Sequence, residues 1–403
     1  MKVALATILI STAAAAALQI GTVGPSPTAA DKITLGRDLF FDTGLSASGR
    51  QSCASCHDPQ HAYAPENALA VQLGGPDLDA AGVRAVPSLR YTLARTPFWH
   101  QPRPDSLAER LTENDNAPRG GFGWDGRFNT LHDQAAFPLL NQAEMAANKP
   151  AVLAHLRSAP YAALFRRVFG DDALSDPNLA FTDLLLAIEA FELTDPSFHP
   201  YSSRFDAYLD GKATLTKQEQ RGLALFNDPR RGNCASCHIS QRGADGSHPL
   251  FTDYQFEALG VPRNPAIPAN RDPNFFDLGL CGPLRTDAPA NPATNPSYCG
   301  MFKTPTLRNV ATRHVFFHNG RFQTLREALE FYVTRDTNPT RWYPTHARLP
   351  YNDLPPAMRH NVDRITLPLT GNPGDKPVWS PTDIDDVIAF LNTLTDADAK
   401  PAP

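Results

Sequence analysis

Two pentapeptides, Cys53-Ala54-Ser55-Cys56-His57 and Cys234-Ala235-Ser236-Cys237-His238, constrain this chain more than any other feature. In Cys-x-x-Cys-His the two thiols lie about one helical turn apart, so both reach the vinyl groups of one porphyrin. The adjacent histidine then projects beneath the ring as an axial iron ligand. Zinc is the rival for paired cysteines, but a zinc site gathers four ligands and has no need of intact Cys-Cys-His triplets. The two triplets predict two covalently attached c-type haems, with His57 and His238 as proximal ligands.

A similar stretch precedes each motif: Gly36-Arg37-Asp38-Leu39-Phe40-Phe41-Asp42 before the first and Gly222-Leu223-Ala224-Leu225-Phe226-Asn227-Asp228 before the second. Helix, turn and motif, twice over, predict two related domains, 31–197 and 201–396, with the boundary between Pro196 and Tyr201. A chain of 403 residues suits two domains of ordinary size. Its 38 Pro and 25 Gly predict a mainly α fold of two cytochrome c-like haem domains, with long Pro- and Gly-rich loops and few strands. Phe181–Leu193 reads as an apolar helix. Thr324-x-x-Glu327 is a capping box opening a helix to about Val333. Ser380-Pro381 places a cap and a first-turn proline ahead of Ile384, Val387, Ile388 and Leu391, which share one face. Gly260 to Asn295 has no periodicity and reads as an ordered loop.

Met1-Lys2 and the apolar run Val3 to Ala17 predict a secretory signal peptide over residues 1–20 and a periplasmic protein. An uncleaved membrane anchor is the alternative, for which the run is short, and no later segment is apolar enough to span a bilayer. In an oxidising compartment Cys281 and Cys299 are expected to pair as a disulfide, with two free thiols as the alternative. A net charge of −5 without a basic run excludes nucleic acid as a partner and supplies no polybasic membrane patch.

With both motifs placed, the chain resembles the bacterial diheme cytochrome c peroxidase family, MauG-like members included, from about Ile33 onward. Landmarks follow in order: Phe122-Gly123-Trp124-Asp125-Gly126-Arg127, then Gln134, Pro138 and Glu144-Met145, then Lys303-Thr304-Pro305-Thr306-Leu307-Arg308-Asn309-Val310 and Phe317-His318-Asn319-Gly320-Arg321. Arg335 to Pro339 with Arg341-Trp342-Tyr343-Pro344 is similar to the methanobactin-associated MauG-like branch.

The resemblance implies that the first haem meets hydrogen peroxide and the second handles electrons. The distal histidine of ordinary members is replaced by Leu73, and no histidine lies between His61 and His100, so the first haem is expected to lack a permanent distal ligand. Glu144 falls at the family's acid/base position, with Gln134 and Pro138 shaping its pocket; local sequence alone reads it as a surface glutamate. Tyr332 stands fourteen residues beyond His318, where ordinary members carry an axial Met. It is the expected distal ligand of the second haem, with Met301, Met358 or a core tyrosine as the alternatives. A phenolate favours higher iron oxidation states. Trp124 falls at the inter-haem tryptophan position.

Two departures stand out. The family's calcium-holding Asn gives way to Tyr91, and the other calcium ligands are backbone carbonyls, which a sequence leaves open. The surface Trp through which MauG passes oxidation to a bound protein is replaced by Gly232. The expected function is hydrogen-peroxide-dependent oxidation of a residue in a periplasmic partner protein. The alternatives are a cytochrome c peroxidase drawing electrons from a small redox protein and a diheme electron carrier without catalysis.

Overall fold

The computed structural model describes residues 28–91, 96–100, 118–287, 291–293, 295–343 and 350–399. The expected signal peptide and Pro344 lie outside them. The helices are α1 (Ala29–Phe41), α2 (Leu131–Leu140), α3 (Lys149–Ser158), α4 (Ala162–Phe169), α5 (Pro177–Thr194), α6 (Arg204–Leu209), α7 (Lys217–Asn227), α8 (Leu325–Thr334), α9 (Pro339–Trp342) and α10 (Pro381–Asn392). Extended pairing among the described residues is confined to isolated bridges and two short antiparallel ladders. These join β1 (Leu73–Gly74) to β2 (Ala80–Ala81) and β3 (Phe256–Glu257) to β4 (Phe302–Lys303). The fold is mainly α.

Local chemistry sets the helix ends. The Thr324 hydroxyl accepts from the Glu327 amide while the Glu327 carboxylate takes the Thr324 amide, closing the box that starts α8. Ser380 and Asp383 do the same for α10, with Pro381 in its first turn. Asp176 caps α5 through the amides of Asn178 and Leu179.

The buried apolar residues form two clusters, one running from Leu35 to Phe198 and the other from Phe205 to Leu394. Each is built on the same helix crossing. A Cβ on Gly36 would fall 1.9 Å from the Ala187 carbonyl oxygen, so α1 meets α5 backbone to backbone. A Cβ on Gly222 would fall 2.0 Å from the Asp386 carbonyl oxygen, and α7 meets α10 in the same way. Beside each crossing one aromatic pair closes the contact: Phe40 with Phe191 at 5.6 Å and Phe226 with Phe390 at 5.2 Å.

Ion pairs on two buried arginines tie the two halves together. Arg90 reaches Asp396 at 3.2 Å and Asp398 at 2.6 Å, and Arg84 joins Asp125 at 2.7 Å to Asp277 at 2.6 Å. A disulfide links Cys281 and Cys299. Among the described residues no helix is long and apolar enough to cross a membrane.

Candidate haem sites

Each motif coils into a tight turn, Cys53–Ser55 and Cys234–Ser236, closed by a bond from the histidine amide to the first cysteine carbonyl (2.9 Å for His57, 2.8 Å for His238). The four cysteines carry no disulfide. Burial pushes their thiols up, to about 12 for Cys53, Cys234 and Cys237 and about 11 for Cys56. His57 Nδ1 bonds the Tyr63 carbonyl at 3.1 Å and His238 Nδ1 the Phe251 carbonyl at 2.9 Å. A carbonyl only accepts, so Nδ1 carries the hydrogen and Nε2 keeps the lone pair that an iron ligand needs. Burial pushes both imidazoles down to about 4 and keeps them neutral.

Both motifs line one continuous, largely apolar cavity, walled by residues such as Leu89, Phe122 and Ile188 on one side and Val261, Leu329 and Leu391 on the other. Four neutral thiols and two neutral imidazoles facing such a cavity fit two porphyrins.

On the first side the wall carries Gln134, Pro138 and Glu144. Pro138 sits inside α2 and has no amide to bond the Gln134 carbonyl. The Glu144 loop is clamped by the β1–β2 turn: the Gly75 amide donates to the Glu144 carbonyl at 2.6 Å, and a Cβ on Gly74 would lie 2.6 Å from the Glu144 Cα. Asn141 Nδ2 donates to Glu144 Oε1 at 2.7 Å. Burial raises the Glu144 carboxyl above its ordinary value, opposed by that bond and by the nearby Arg127 guanidinium. Leu73 lines the cavity, and His61 does not; its Nδ1 is paired with Asp58 at 2.8 Å.

On the second side α8 presents Tyr332, which lines the cavity together with Cys234 and Cys237. Among the described residues its hydroxyl has no hydrogen-bond partner, and burial pushes the phenol up. Neither Met301 nor Met358 lines the cavity. Trp124 lies between the two sides: its indole N–H donates to the Ala85 carbonyl at 2.8 Å, and its own carbonyl accepts from the Lys303 amide at 2.9 Å. The side-chain space beside Gly232 is filled from elsewhere. A Cβ there would fall 2.3 Å from the Trp379 indole, which is 3% exposed and lines the second side.

Residues 30–214 match the family model described as di-haem cytochrome c peroxidase. The chain is 31% identical to the methylamine utilization protein MauG of Paracoccus denitrificans over 392 residues, covering 94% of this chain and 93% of that protein. The chain belongs to the di-haem cytochrome c peroxidase family. The crystal structure of the diheme peroxidase BthA from Burkholderia thailandensis superposes with a TM-score of 0.80 at 41% identity, over 91% of this chain and 86% of that one. A MauG-like protein associated with microbial copper homeostasis shares the fold, with a TM-score of 0.61 at 24% identity, over 95% of this chain and 96% of that one.

This di-haem peroxidase is thus a hydrogen-peroxide-dependent oxidoreductase with two haems, on a mainly helical, cytochrome c-like fold. Several of its cavity residues escape motif spacing. Arg84, pinned by Asp125 and Asp277, lies 5.5 Å over the Phe302 ring, and that ring stacks on His318 at 3.5 Å. His318 Nε2 is buried without a hydrogen-bond partner. Glu192 is 3% exposed and lines the first side. The Tyr91 hydroxyl donates to Asp396 at 2.7 Å and accepts from the Tyr201 amide at 2.9 Å, so its oxygen is committed to protein partners. None of these pairings has a sequence period, because the partners come from distant segments.

Proposed function

We propose that this protein is a periplasmic enzyme with two covalent c-type haems, arranged in domains 31–197 and 201–396, that uses hydrogen peroxide to oxidise an aromatic side chain of a partner protein. The observation that carries this reading is Tyr332. Tyr332 stands in the wall of the cavity that Cys234 and Cys237 also line, and no protein group among the described residues takes its hydroxyl, so the phenol oxygen would be available to an iron held there. The likeness to MauG over nearly the whole chain supports the same reading.

Haem iron supplies the redox chemistry, accepting and delivering the two oxidising equivalents of peroxide. The chain's residues do the rest. Cys53 and Cys56 would anchor one porphyrin and Cys234 and Cys237 the other, while His57 and His238 would offer Nε2 to the two irons. Glu144, in the same cavity wall, would take a proton from hydrogen peroxide and return it to the leaving oxygen, and burial raises its carboxyl above the ordinary value. Gln134 and Pro138 hold the pocket around it. Trp124 would relay electrons between the sides, and Tyr332 would favour higher oxidation states of the second iron.

The reading is tested on the whole mature protein. Mass spectrometry is expected to find two haems, and one fewer in each of Cys53→Ala/Cys56→Ala and Cys234→Ala/Cys237→Ala. One equivalent of hydrogen peroxide is expected to change both haem spectra together, and the change should persist long enough to oxidise an added partner. Ferric EPR showing His–Met ligation in the second haem would overturn the Tyr332 assignment and leave the electron-donor-dependent peroxidase reading in its place.

A further inference from the structure

Five cationic side chains of the described residues line the cavity: Arg84, Arg127, Lys303, Arg308 and Arg313. Three already meet carboxylates, Arg84 and Arg127 at Asp125 and Arg308 at Asp206. Lys303 Nζ donates to the Gly121 carbonyl and stands 5.9 Å over the Phe122 ring, with the Asp125 charge further off. Arg313 is the most isolated. Its Nη2 donates to the Val86 carbonyl at 2.8 Å and its Nε to the Val315 carbonyl at 3.4 Å, and no carboxylate among the described residues pairs with it. Burial alone acts on its charge, pushing it down to about 10.

A desolvated cation without a counter-charge costs several kcal/mol, and carbonyl dipoles offset only part of that. The missing anion therefore belongs to whatever fills the cavity. Arg313 stands close enough to His57 for its charge to lower that imidazole's basicity, which puts it on the first side. Its anchor, Val86, follows Ala85, whose carbonyl holds Trp124. Each porphyrin carries two propionate carboxylates, and a guanidinium matches a carboxylate in both shape and charge.

We propose that Arg313 is the counter-cation of a propionate of the first haem and so helps set that haem's reduction potential. The inference rests on the two-haem reading above. Reducing ferric iron removes one positive charge from the site. Without Arg313 the propionate charge is uncompensated and favours the ferric form, and the propionate takes up a proton more readily.

The test is spectroelectrochemical titration of the whole holoprotein as wild type, Arg313→Gln and Arg313→Lys, between pH 5.5 and 8.5, with haem counted by mass spectrometry. In Arg313→Gln the potential of one haem is expected to fall and to become pH-dependent, the other haem staying as in wild type. Arg313→Lys, which keeps the charge, is expected to restore most of both. A resonance Raman propionate bending mode is expected to shift in the Gln variant alone. If Arg313→Gln keeps two haems with wild-type potentials and pH profile, the inference is overturned. If the Gln variant loses its first haem, the Lys variant decides: a full haem content supports the charge, and the same loss overturns it. Fewer than two haems in the wild type overturns the haem reading itself.

Discussion

Burial and neighbouring charge act in opposite senses on Glu144: desolvation raises its carboxyl, while Asn141 and Arg127 hold it down. A carboxyl raised by burial is suited to accept a proton and give it back, and isosteric Gln does neither. Glu144→Gln is expected to keep both haems and slow the reaction with peroxide by about two to four decades. Stopped-flow rates within a few-fold of wild type would reduce the residue to packing. Glu192 has no such counterweight. Burial and then the Glu189 charge raise it to about 8, well above an ordinary glutamate. The unfolded chain gives up this proton near its ordinary value and the folded protein holds it to about 8. Stability is therefore lost as pH climbs between the two and stays low above. Glu192→Gln is expected to match wild type in chemical denaturation at pH 4 and to exceed it at pH 8.5, by on the order of a few kcal/mol. An unchanged pH slope would mean that the carboxyl is solvated. Glu144 was singled out by resemblance, with Gln134 and Pro138, and all three line the cavity. Glu192 sits in an ordinary helical run, and only the cavity beside it gives it meaning.

Helix ends are local chemistry, and so they were legible: Thr324 with Glu327 and Ser380 with Pro381 mark α8 and α10 where the structure begins them. The repeated Gly-x-x-x-Phe of α1 and α7 was visible as a likeness, but its reason lay in partners far along the chain. Gly36 and Gly222 are the points where one helix backbone rests on another, at Ala187 and Asp386. Gly222→Ala drives a methyl into a carbonyl oxygen that a regular helix holds in place. It is expected to lower stability by about 1–3 kcal/mol, read as a fall in Tm. Gly82 provides the control. A Cβ there meets nothing nearer than the Gln72 carbonyl oxygen at 3.6 Å. Gly82→Ala is expected to stay within about 0.5 kcal/mol of wild type. Helix propensity and unfolded-chain entropy both favour Ala over Gly, so a Gly222→Ala variant as stable as wild type would mean that the crossing gives way around the methyl.

Over the whole molecule, the two halves are joined by contacts that no local pattern announces. Arg84 and Asp277 lie 193 residues apart, and Arg90 and Asp398 lie 308 apart. Trp124 shares this junction. Its indole N–H is fixed by Ala85 from the first half and its carbonyl by Lys303 from the second, so the ring is held in one orientation between the haem sides. An indole gives up an electron far more readily than a phenyl ring, and a fixed orientation spares the reorganisation that a mobile relay would need. A packing role and a relay role make different demands on the ring. Phe fills most of the same volume, but it loses the bond to Ala85 and is far harder to oxidise. Trp124→Phe is therefore expected to keep two haems and a wild-type rate of peroxide reaction at the first. The spectral response of the second haem should become slow or incomplete. Stopped-flow absorbance at wavelengths that separate the two haems reads both rates in one experiment. If both haems respond together at the wild-type rate, Trp124 is packing and electrons cross the junction by another path. If both rates fall together, the lost Ala85 bond has disturbed the first pocket. Only a divergence of the two rates assigns the relay to the indole.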